Sequence, residues 1–566
     1  MTRLTNDPAD FPAEALKGFI AANKRYVKPV YGGVARSTFT PAGKVAVVYG
    51  GGSGHYPAFA GWVGHGFADG AVCGNIFSSP SAAQAYSVLK AVHRGAGVLM
   101  GFGNYAGDVL HFGQAIERLR AEGIEADTLV VTDDIASGDA AEPEKRRGIA
   151  GDFPVFKITS AAAEAGLGFD EVKRVFAKAN AATRSFGVAF AGCTLPGAKG
   201  PLFTVPAGRM GIGLGIHGEP GVAEADLGSA DDVARTLVEG LLADRPAGAG
   251  NRVVAIVNGL GSSKYEELFV VTSCVVARLE AAGLECADVE AGEFVTSLDM
   301  AGVSLTLVWV DDELLGYWDA PCDAPAYRKG SVGSVERDDA ALSQAAAPVE
   351  VTTPGSTASR EAAEVAAGLL DDVAEMLARA QEELGALDSV AGDGDHGIGM
   401  ANGSRAAAGA AHAAVSAGGG LRTTLTAAGD AWSNRAGGTS GALWGALLTA
   451  LGSALGDEKT PGSDDLAVAL QAALSAVQRL GGAEVGDKTL VDALSPFVAA
   501  FVATDGDLAA KSAAAVVAAE AGTESTRALV ARLGRARPLG EKSVGTPDPG
   551  AVSLTKVVTL LNSRLS

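Results

Sequence analysis

The sequence predicts a multidomain protein in which two α/β subdomains precede an all-α domain. In the first 330 residues, short apolar runs ending in Gly or Asp alternate with amphipathic helical stretches. That alternation is typical of an α/β fold with a largely parallel sheet. A stretch rich in Ala, Ser, Pro and Thr follows, without hydrophobic periodicity, and resembles a linker. From Ser359 onward the chain reads as Ala/Leu/Val helices, with no convincing strand after Leu387.

The domain boundaries follow from these changes of pattern. A chain of 566 residues is too long for one hydrophobic core. We expect a first α/β subdomain at 1–185, a second at 186–330, a linker at 331–358 and an all-α domain at 359–566. A helix over residues 164–185 would join the two α/β subdomains.

Composition excludes several classes of protein. The formal net charge of −21 argues against nucleic acid and anionic membranes as partners, because phosphate-rich surfaces need basic patches. Five scattered cysteines without a C-x-x-C spacing indicate neither a disulfide framework nor a zinc site, and fit a reducing cytoplasm. The N-terminus has no apolar segment of the secretory kind. The apolar stretch 441–456 contains Thr and Ser, so we interpret it as a buried helix rather than a membrane span.

In the first subdomain, three predicted strands end in loops rich in Gly or Asp, at 44–57, 97–108 and 128–136. The carboxyl ends of parallel strands meet at one edge of a sheet, where ligands commonly bind. The first loop, GGGSGHYP, surrounds Ser53 with glycines and ends at His55, and the second ends at Asp108. Neither loop has the spacing of a Walker or dinucleotide-binding motif.

The second subdomain carries the predicted strand segments GVAFAGCTL, GIGLGIHGEPG, RVVAIVNGLG and GVSLTLVWVDDELLGYWDAP. Within GIGLGIHGEPG, His217 lies between glycines. A single histidine in a loop is usually a surface residue. Three of the seven histidines, His55, His217 and His396, lie in glycine-rich turns, and this recurrence favours chemistry without deciding which kind.

The C-terminal third is organised around LDSVAGDGDHGIGM at 387–400, which holds Asp388, Asp393 and Asp395. A glycine-broken turn can bring three carboxylates to one point, where they repel unless a cation separates them. Oxygen-only ligands suit Mg²⁺ before Zn²⁺. A solvated Asp/Gly loop or a Ca²⁺ loop is an alternative, although the closing Glu of an EF-hand is missing.

Three further loops of this domain have the form of phosphate-binding turns. They are GGTSGALWG (437–445), GDKTLVDAL (486–494) and GRARPLGEKSVGTPDPGA (534–551). Backbone N–H groups at a helix start suit phosphate oxygens, and Lys488 is a candidate phosphate partner. Each loop alone is weak evidence, since a capped helix or a surface turn is the more common explanation. Together with the carboxylate cluster, they favour a nucleotide site.

Taken together, these motifs resemble the dihydroxyacetone kinase family in its single-chain, ATP-dependent form. GGGSGH, NYAGD and GIHGEPG are similar to its ketose-binding part. GDGDHG, GGTSGALWG, GDKTLVDAL and PDPGA are similar to its nucleotide-binding part, and the order along the chain agrees. The resemblance implies a helical barrel for the all-α domain, a cytoplasmic enzyme, and a homodimer formed through the ketose-binding part.

The resemblance also implies roles for individual residues. Nε2 of His217 would add to the substrate ketone and form a covalent hemiaminal, while His55 and Asp108 would orient the substrate and move protons. The remaining predicted contacts are Gly52, Ser53 and Gly54 with substrate, Asp388, Asp393 and Asp395 with two Mg²⁺ ions, and His396, Gly397, Ile398, Gly399, Thr439, Ser440, Arg535, Asp548, Pro549 and Gly550 with ATP.

Two departures from the family pattern concern the substrate. Tyr56 follows His55 where the family usually has Glu, and Gly103 stands before Asn104 where Lys is common. Since the catalytic residues are kept and their neighbours change, we expect a substrate larger than dihydroxyacetone, such as the four-carbon ketose erythrulose. The alternatives are a catalytically silent ketose-binding regulator, and a lyase side activity on a ribonucleotide diphosphate such as FAD in the all-α domain.

Overall fold

The computed structural model describes residues 4–219, 221–338, 354–392, 394–534, 536 and 540–564. The chain divides into two compact units, Met1–Pro348 and Val349–Ser566, which we call the N-terminal and C-terminal units. Most of the predicted linker, residues 339–353, lies outside the described residues.

The N-terminal unit begins with a six-stranded sheet of order β1-β2-β4-β3-β5-β6. Strands β4, β3, β5 and β6 are parallel, whereas β1 and β2 are antiparallel additions at one edge. The strands are β1 Val27–Val30, β2 Gly33–Arg36, β3 Ala46–Ser53, β4 Gly70–Ile76, β5 Val98–Gly103 and β6 Ala126–Val131. The helices are α1 Phe11–Ala22, α2 Ala82–Val92, α3 Ala106–Ala121, α4 Asp152–Glu164 and α5 Phe169–Ala181.

Local sequence explains most of these elements. The apolar β3 is buried along nearly its whole length, as expected for a central parallel strand. Helix α2 starts with a capping box in which Ser81 and Gln84 exchange side-chain and backbone hydrogen bonds. Helix α4 is buried on every side from Asp152 to Ala163, which explains why amphipathic periodicity did not predict it.

The second sheet of the N-terminal unit has the order β11-β10-β12-β7-β8-β9. Only β10 and β11 pair in parallel. The expectation of a largely parallel sheet therefore holds for the first sheet and not for this one, where most neighbouring strands are antiparallel. The elements are β7 Thr183–Ala191, β8 Arg209–Ile212, β9 Ala223–Asp226, α6 Ala230–Ala243, β10 Arg252–Gly259, α7 Tyr265–Ala281, β11 Glu285–Gly292, β12 Ala301–Trp309, α8 Asp312–Asp319, β13 Cys322–Asp323 and β14 Arg328–Lys329.

In the described residues of the C-terminal unit the regular elements are helices, with one isolated β-bridge between Pro354 and Gly419, which confirms the all-α prediction. Helix α11 packs against α9 and α12, and α13 packs against α12 and α14. The helices are α9 Thr357–Arg379, α10 Gln381–Asp388, α11 His396–Ser416, α12 Leu421–Ala436, α13 Gly438–Leu455, α14 Ser463–Gly481, α15 Val491–Ala503, α16 Leu508–Ser525, α17 Gly540–Ser543 and α18 Pro549–Ser563.

A tryptophan pair lies in the core of this unit. The rings of Trp432 on α12 and Trp444 on α13 stack with centroids 4.8 Å apart and planes at 5°. Both side chains are buried. The apolar stretch at 441–456 falls within α13 as predicted, and among the described helices none is both long and apolar enough to cross a bilayer.

Candidate active site

Two buried histidines meet in the N-terminal unit. His55 follows β3, and His217 lies in the glycine-rich turn after β8. Their Nε2 atoms are 3.1 Å apart, and the rings are perpendicular. The structure thus brings together the two histidines that the sequence placed 162 residues apart.

The outer nitrogens of both rings are also engaged. Nδ1 of His55 lies 2.7 Å from the carbonyl oxygen of Thr296. Nδ1 of His217 lies 3.2 Å from Oε1 of Glu219, whose Oε2 accepts the backbone N–H of His217 at 2.9 Å. Each ring is therefore fixed at both ends, so the two Nε2 atoms are directed at each other.

Aromatic rings enclose the histidine pair. Phe77 stacks on His55 with centroids 5.0 Å apart and meets His217 edge-on at 5.3 Å. Tyr105 meets His217 edge-on at 4.6 Å. Phe77 has a φ of 55°, a strained conformation for a bulky residue, and such strain is concentrated at functional sites.

Asp108 lies near the histidine pair because it follows Tyr105 at the start of α3. Asp108 lies in the first turn of α3, three residues after Tyr105, and its side chain is buried. The contact of Tyr105 with His217 thus brings the start of α3 beside the imidazoles. Asp108 also faces Asp152. Burial raises the pKa of Asp152 well above its ordinary value, and the charges of Asp133 and Asp108 act in the same direction. A carboxyl with a raised pKa beside Asp108 is typical of sites that transfer protons.

The glycine loop before His55 requires close backbone packing. A Cβ on Gly52 would lie 2.7 Å from the backbone nitrogen of Ser78, and Gly54 has a φ of 105°. The Ser53 hydroxyl donates to the Gly74 carbonyl at 2.6 Å, so this side chain holds the loop against β4. Its predicted role as a backbone contact to substrate is compatible with that use.

Sequence analysis missed Glu219, Tyr105, Phe77 and Thr296 as parts of this site. For Glu219 a signal was present, because it lies two residues after His217 in the GIHGEPG turn that was singled out. For Phe77 and Thr296 the sequence offers none, since long-range packing brings them to the histidines.

In the C-terminal unit, the predicted metal ligands lie at helix ends. Asp388 ends α10 and Asp395 precedes α11, while Asp393 lies outside the described residues. The Asp388 carboxylate accepts the His396 backbone N–H at 3.4 Å. Burial and the charge of Asp388 raise the pKa of Asp395 above its ordinary value. Two such carboxyls with oxygen-only donors fit a hard divalent cation.

Within the described residues, no group of three His, Cys, Asp or Glu side chains is placed to hold a metal ion. The predicted trio includes Asp393, so its geometry as a set of three remains a prediction.

His396 links two further helices to the start of α11. Its ring nitrogens contact Ser440 Oγ on α13 at 3.2 Å and Ser553 Oγ on α18 at 3.0 Å. Burial lowers its pKa, which favours the neutral ring that such bridging uses. The predicted nucleotide residues Ser440 and His396 are therefore in direct contact.

The other predicted nucleotide residues lie at helix starts. Thr439 and Ser440 open α13 after Gly437 and Gly438, which have φ values of 63° and 58°. Asp548 caps α18 by accepting the Ala551 N–H at 2.7 Å. Pro549 and Gly550 form the first turn of α18. At the start of α11, Gly397 packs on the Gln381 carbonyl, Ile398 is exposed, and Gly399 lies in the first turn. Arg535 lies outside the described residues.

Asp548 joins the carboxylate region of the C-terminal unit. Burial raises its pKa to about 7, and the charges of Asp492 and Asp388 act in the same direction. The start of α18 therefore lies within electrostatic range of the end of α10.

Lys488 does not serve as the phosphate partner that the sequence suggested. Its ammonium is buried and donates to the carbonyls of Leu529, Ser543 and Thr546 at 3.1, 2.6 and 2.8 Å. Three donors are all that an ammonium has. Lys488 therefore holds the loop before α15 to the loops around α17.

Comparison with known proteins agrees with the division of the chain into two parts. The chain matches the Dak1 domain over residues 17–326 and the DAK2 domain over residues 390–563. It is 56% identical to a D-erythrulose kinase of Mycolicibacterium smegmatis, covering 98% of this chain and 97% of that protein. It is 54% identical to an L-erythrulose 1-kinase of the same organism, covering 100% of both.

A solved structure covers the whole chain. The crystal structure of the dihydroxyacetone kinase from C. freundii in complex with AMP-PNP and Mg²⁺ is 29% identical. It matches with a TM-score of 0.52 and covers 100% of this chain and 99% of that one.

Proposed function

The chain belongs to the dihydroxyacetone kinase family, and we propose that it transfers the γ-phosphoryl group of ATP to a terminal hydroxyl of a short-chain ketose held covalently on His217. The observation that carries this proposal is the buried His55–His217 pair, whose Nε2 atoms are 3.1 Å apart. A pair enclosed in this way offers a nucleophile and a proton donor within one site.

Covalent capture explains how such a site distinguishes its substrate. A neutral imidazole nitrogen adds to a ketone or aldehyde carbon and has no electrophile to attack in a polyol such as glycerol. The adduct also fixes the terminal hydroxyl, so that part of the entropic cost of phosphoryl transfer is met on binding. His55 and Asp108 are the proposed groups that move protons at the carbonyl oxygen and the attacking hydroxyl.

ATP and Mg²⁺ are the proposed ligands of the C-terminal unit. Asp388, Asp393 and Asp395 would hold two Mg²⁺ ions, and the turns that open α11, α13 and α18 would bind the nucleotide. When bound, the ions supply charge neutralisation on the phosphate oxygens. His396 keeps the start of α13 in place through its contact with Ser440.

The proposed substrate is erythrulose rather than dihydroxyacetone. Tyr56 and Gly103 replace the Glu and Lys that are common next to His55 and Asn104 in the family. Two relatives, 56% and 54% identical to this chain, are named D-erythrulose kinase and L-erythrulose 1-kinase. Their names differ in enantiomer, so the enantiomer for this chain has to be measured.

The test is ADP release from ATP and Mg²⁺ with dihydroxyacetone, D-erythrulose, L-erythrulose, glyceraldehyde and glycerol. We expect the highest kcat/KM with one erythrulose enantiomer, a lower value with dihydroxyacetone, and none with glycerol. A higher kcat/KM for dihydroxyacetone than for both enantiomers would refute the substrate assignment. Turnover of glycerol would refute covalent selection.

We further propose a cytoplasmic homodimer formed through the N-terminal unit. Light scattering coupled to size-exclusion chromatography of the full chain would give a mass near twice 56.7 kDa. A monomeric mass at micromolar concentration would contradict this assembly.

A further inference from the structure

A continuous chain of hydrogen bonds passes through the two imidazoles. It runs from the Thr296 carbonyl to His55 Nδ1, from His55 Nε2 to His217 Nε2, and from His217 Nδ1 to Glu219 Oε1, with lengths of 2.7, 3.1 and 3.2 Å. The carbonyl at one end can only accept, and the carboxylate at the other end accepts when it is ionised.

Counting protons along this chain gives its charge. Three hydrogen bonds need three protons, and the two neutral imidazoles supply only two. The third proton makes one of the rings an imidazolium when Glu219 is a carboxylate. The chain of two histidines and one glutamate is then neutral overall, with its positive and negative charges held on neighbouring groups.

The surroundings of Glu219 favour its carboxylate form. Nη1 of Arg147 lies 3.8 Å from Oε1, and the His217 backbone N–H donates to Oε2 at 2.9 Å. Arg147 is itself held by Asp134 at 2.8 Å. Further titratable groups near His217 and Glu219 include His55, Tyr105 and Cys193.

We infer that Glu219 is a positioning residue that drives covalent ketose capture by acting as the counter-charge for the His217 adduct. This inference rests on the proposed function, because it concerns the hemiaminal step. It assigns to Glu219 an electrostatic role in addition to holding the turn.

Capture conserves both protons and charge. Before reaction His55 carries the extra proton on Nε2, and His217 has a proton on Nδ1 and a lone pair on Nε2. The lone pair forms a bond to the carbonyl carbon, the C=O π electrons move to oxygen, and that oxygen takes the proton of His55 Nε2. His55 becomes neutral, and His217, now substituted at Nε2 and protonated at Nδ1, becomes the cation.

Capture therefore moves one positive charge from His55 to His217 without changing the total. The cation on His217 is in contact with the Glu219 carboxylate, whereas a cation on His55 is separated from that carboxylate by the His217 ring. Coulomb attraction is stronger at the shorter distance in a buried site, so the carboxylate favours the adduct over the free ketone.

The experiment measures capture without ATP. Full-length protein is titrated with dihydroxyacetone labelled with ¹³C at C2, whose resonance moves from the ketone to the tetrahedral range on capture. We expect Glu219→Gln to weaken capture about 10- to 100-fold, the effect of losing a hydrogen bond to a charged group. Glu117→Gln removes an exposed carboxylate paired with Arg120 on α3, and should leave capture unchanged.

A pH series separates charge from structure. Removing a neighbouring negative charge lowers the pKa of an imidazolium, so capture by Glu219→Gln should fall off at a pH about one unit or more below that of the wild type. A purely structural defect would weaken capture equally at every pH. Glu219→Asp keeps the charge and should keep the wild-type pH limit, even where its affinity is lower.

The possible outcomes separate the role of Glu219 from covalent capture itself. Equal capture by wild type and Glu219→Gln, or weaker capture with an unshifted pH limit, would overturn the role of Glu219 while leaving the covalent mechanism intact. No tetrahedral signal with the wild type would overturn covalent capture itself. If Glu219→Gln does not fold, the ¹⁵N-histidine spectrum of the ligand-free wild type tests the proton count instead. The His217 signals are assigned as those missing from the spectrum of His217→Ala. An unprotonated Nδ1 on His217 would contradict the proton count.

Discussion

Two sets of carboxylates, one in each unit of the chain, have different electrostatic surroundings. In the N-terminal unit, Arg36 and Lys44 contact Asp69 at 3.1 and 2.5 Å, and Arg36 also contacts Glu164 at 2.8 Å. In the C-terminal unit, burial raises the pKa values of Asp395 and Asp548, and neighbouring carboxylates act in the same direction. Asp69 and Glu164 thus have cationic partners within the N-terminal unit, whereas Asp395 and Asp548 have the charge pattern of a site that binds a metal ion.

The two halves of the proposed reaction therefore depend on different conditions. Ketose capture needs only groups that the N-terminal unit already holds in contact. Nucleotide use needs a cation from solution. Changes in one unit should therefore affect one half of the chemistry and leave the other measurable.

The largest expected effect is the loss of capture in His217→Ala. Without the nucleophile, the ¹³C tetrahedral signal should disappear and ketose-dependent ADP release should fall by about 10³-fold or more. His412→Ala is a matched control, because His412 is exposed and pairs with Asp371 in the C-terminal unit. Retention of full activity by His217→Ala would refute the covalent mechanism.

The next effect concerns Asp395→Asn. ADP release should fall by about 10²- to 10³-fold, because a proposed Mg²⁺ ligand is lost, while ¹³C-detected capture persists. Asp371→Asn changes an exposed carboxylate of the same unit and serves as the control. If Asp395→Asn also abolished capture, the two halves would not be separable and the contrast between the units would be wrong.

Glu164→Gln tests the cation-paired carboxylates of the N-terminal unit. Burial alone would raise the pKa of Glu164, but hydrogen bonding from Arg36 and the charges of Lys44 and Arg36 lower it to about 2. A depressed pKa contributes stability above pH 4.5, which is lost as the pH falls from about 4.5 towards 2.

We expect Glu164→Gln to lower the free energy of unfolding by about 2–3 kcal/mol at pH 7, and by less at pH 3. Urea unfolding followed by a probe in the N-terminal unit at both pH values measures this difference. Glu117→Gln should show no comparable change, since its carboxylate is exposed. A deficit for Glu164→Gln that is equal at both pH values would mean lost packing rather than lost charge.

The smallest predicted effect concerns Gly103. A Cβ there would lie 3.0 Å from the Gly148 carbonyl oxygen and 3.2 Å from the Gly148 Cα, so Gly103→Ala should cost about 1 kcal/mol of stability. Gly113→Ala in α3 meets no atom within 4 Å and should be neutral or stabilising. A stable Gly103→Ala with altered ketose preference would show that substrate selection, rather than backbone packing, explains this glycine.

Local pattern was enough to predict the fold class and much of the site. Glycine turns and apolar runs predicted β3, β5 and β6, and helical periodicity predicted the C-terminal helices. The helix predicted over 164–185 is the shorter α5, Phe169–Ala181, because β7 begins at Thr183. The buried α4 and the antiparallel pairing of the second sheet were not predicted, because neither leaves an amphipathic or crossover signal.

Within the site, the motifs identified His55 and His217 but not their partners. Whether two loop histidines touch depends on how β3 and the turn after β8 meet, which one sequence does not encode locally. Lys488 shows the opposite error, since its motif predicted a phosphate contact. Its three protons are used by carbonyls that come from 41 to 58 residues further along the chain.

The stacked tryptophans of the C-terminal unit have a spectroscopic consequence. Indoles 4.8 Å apart should couple their electronic transitions and give a paired band in circular dichroism. Trp444 lies on α13, whose first turn holds Thr439 and Ser440, and Trp432 lies on α12 just before Gly437. A shift of that turn on nucleotide binding would change the angle between the rings, so the amplitude of the band reports on ATP without an added dye.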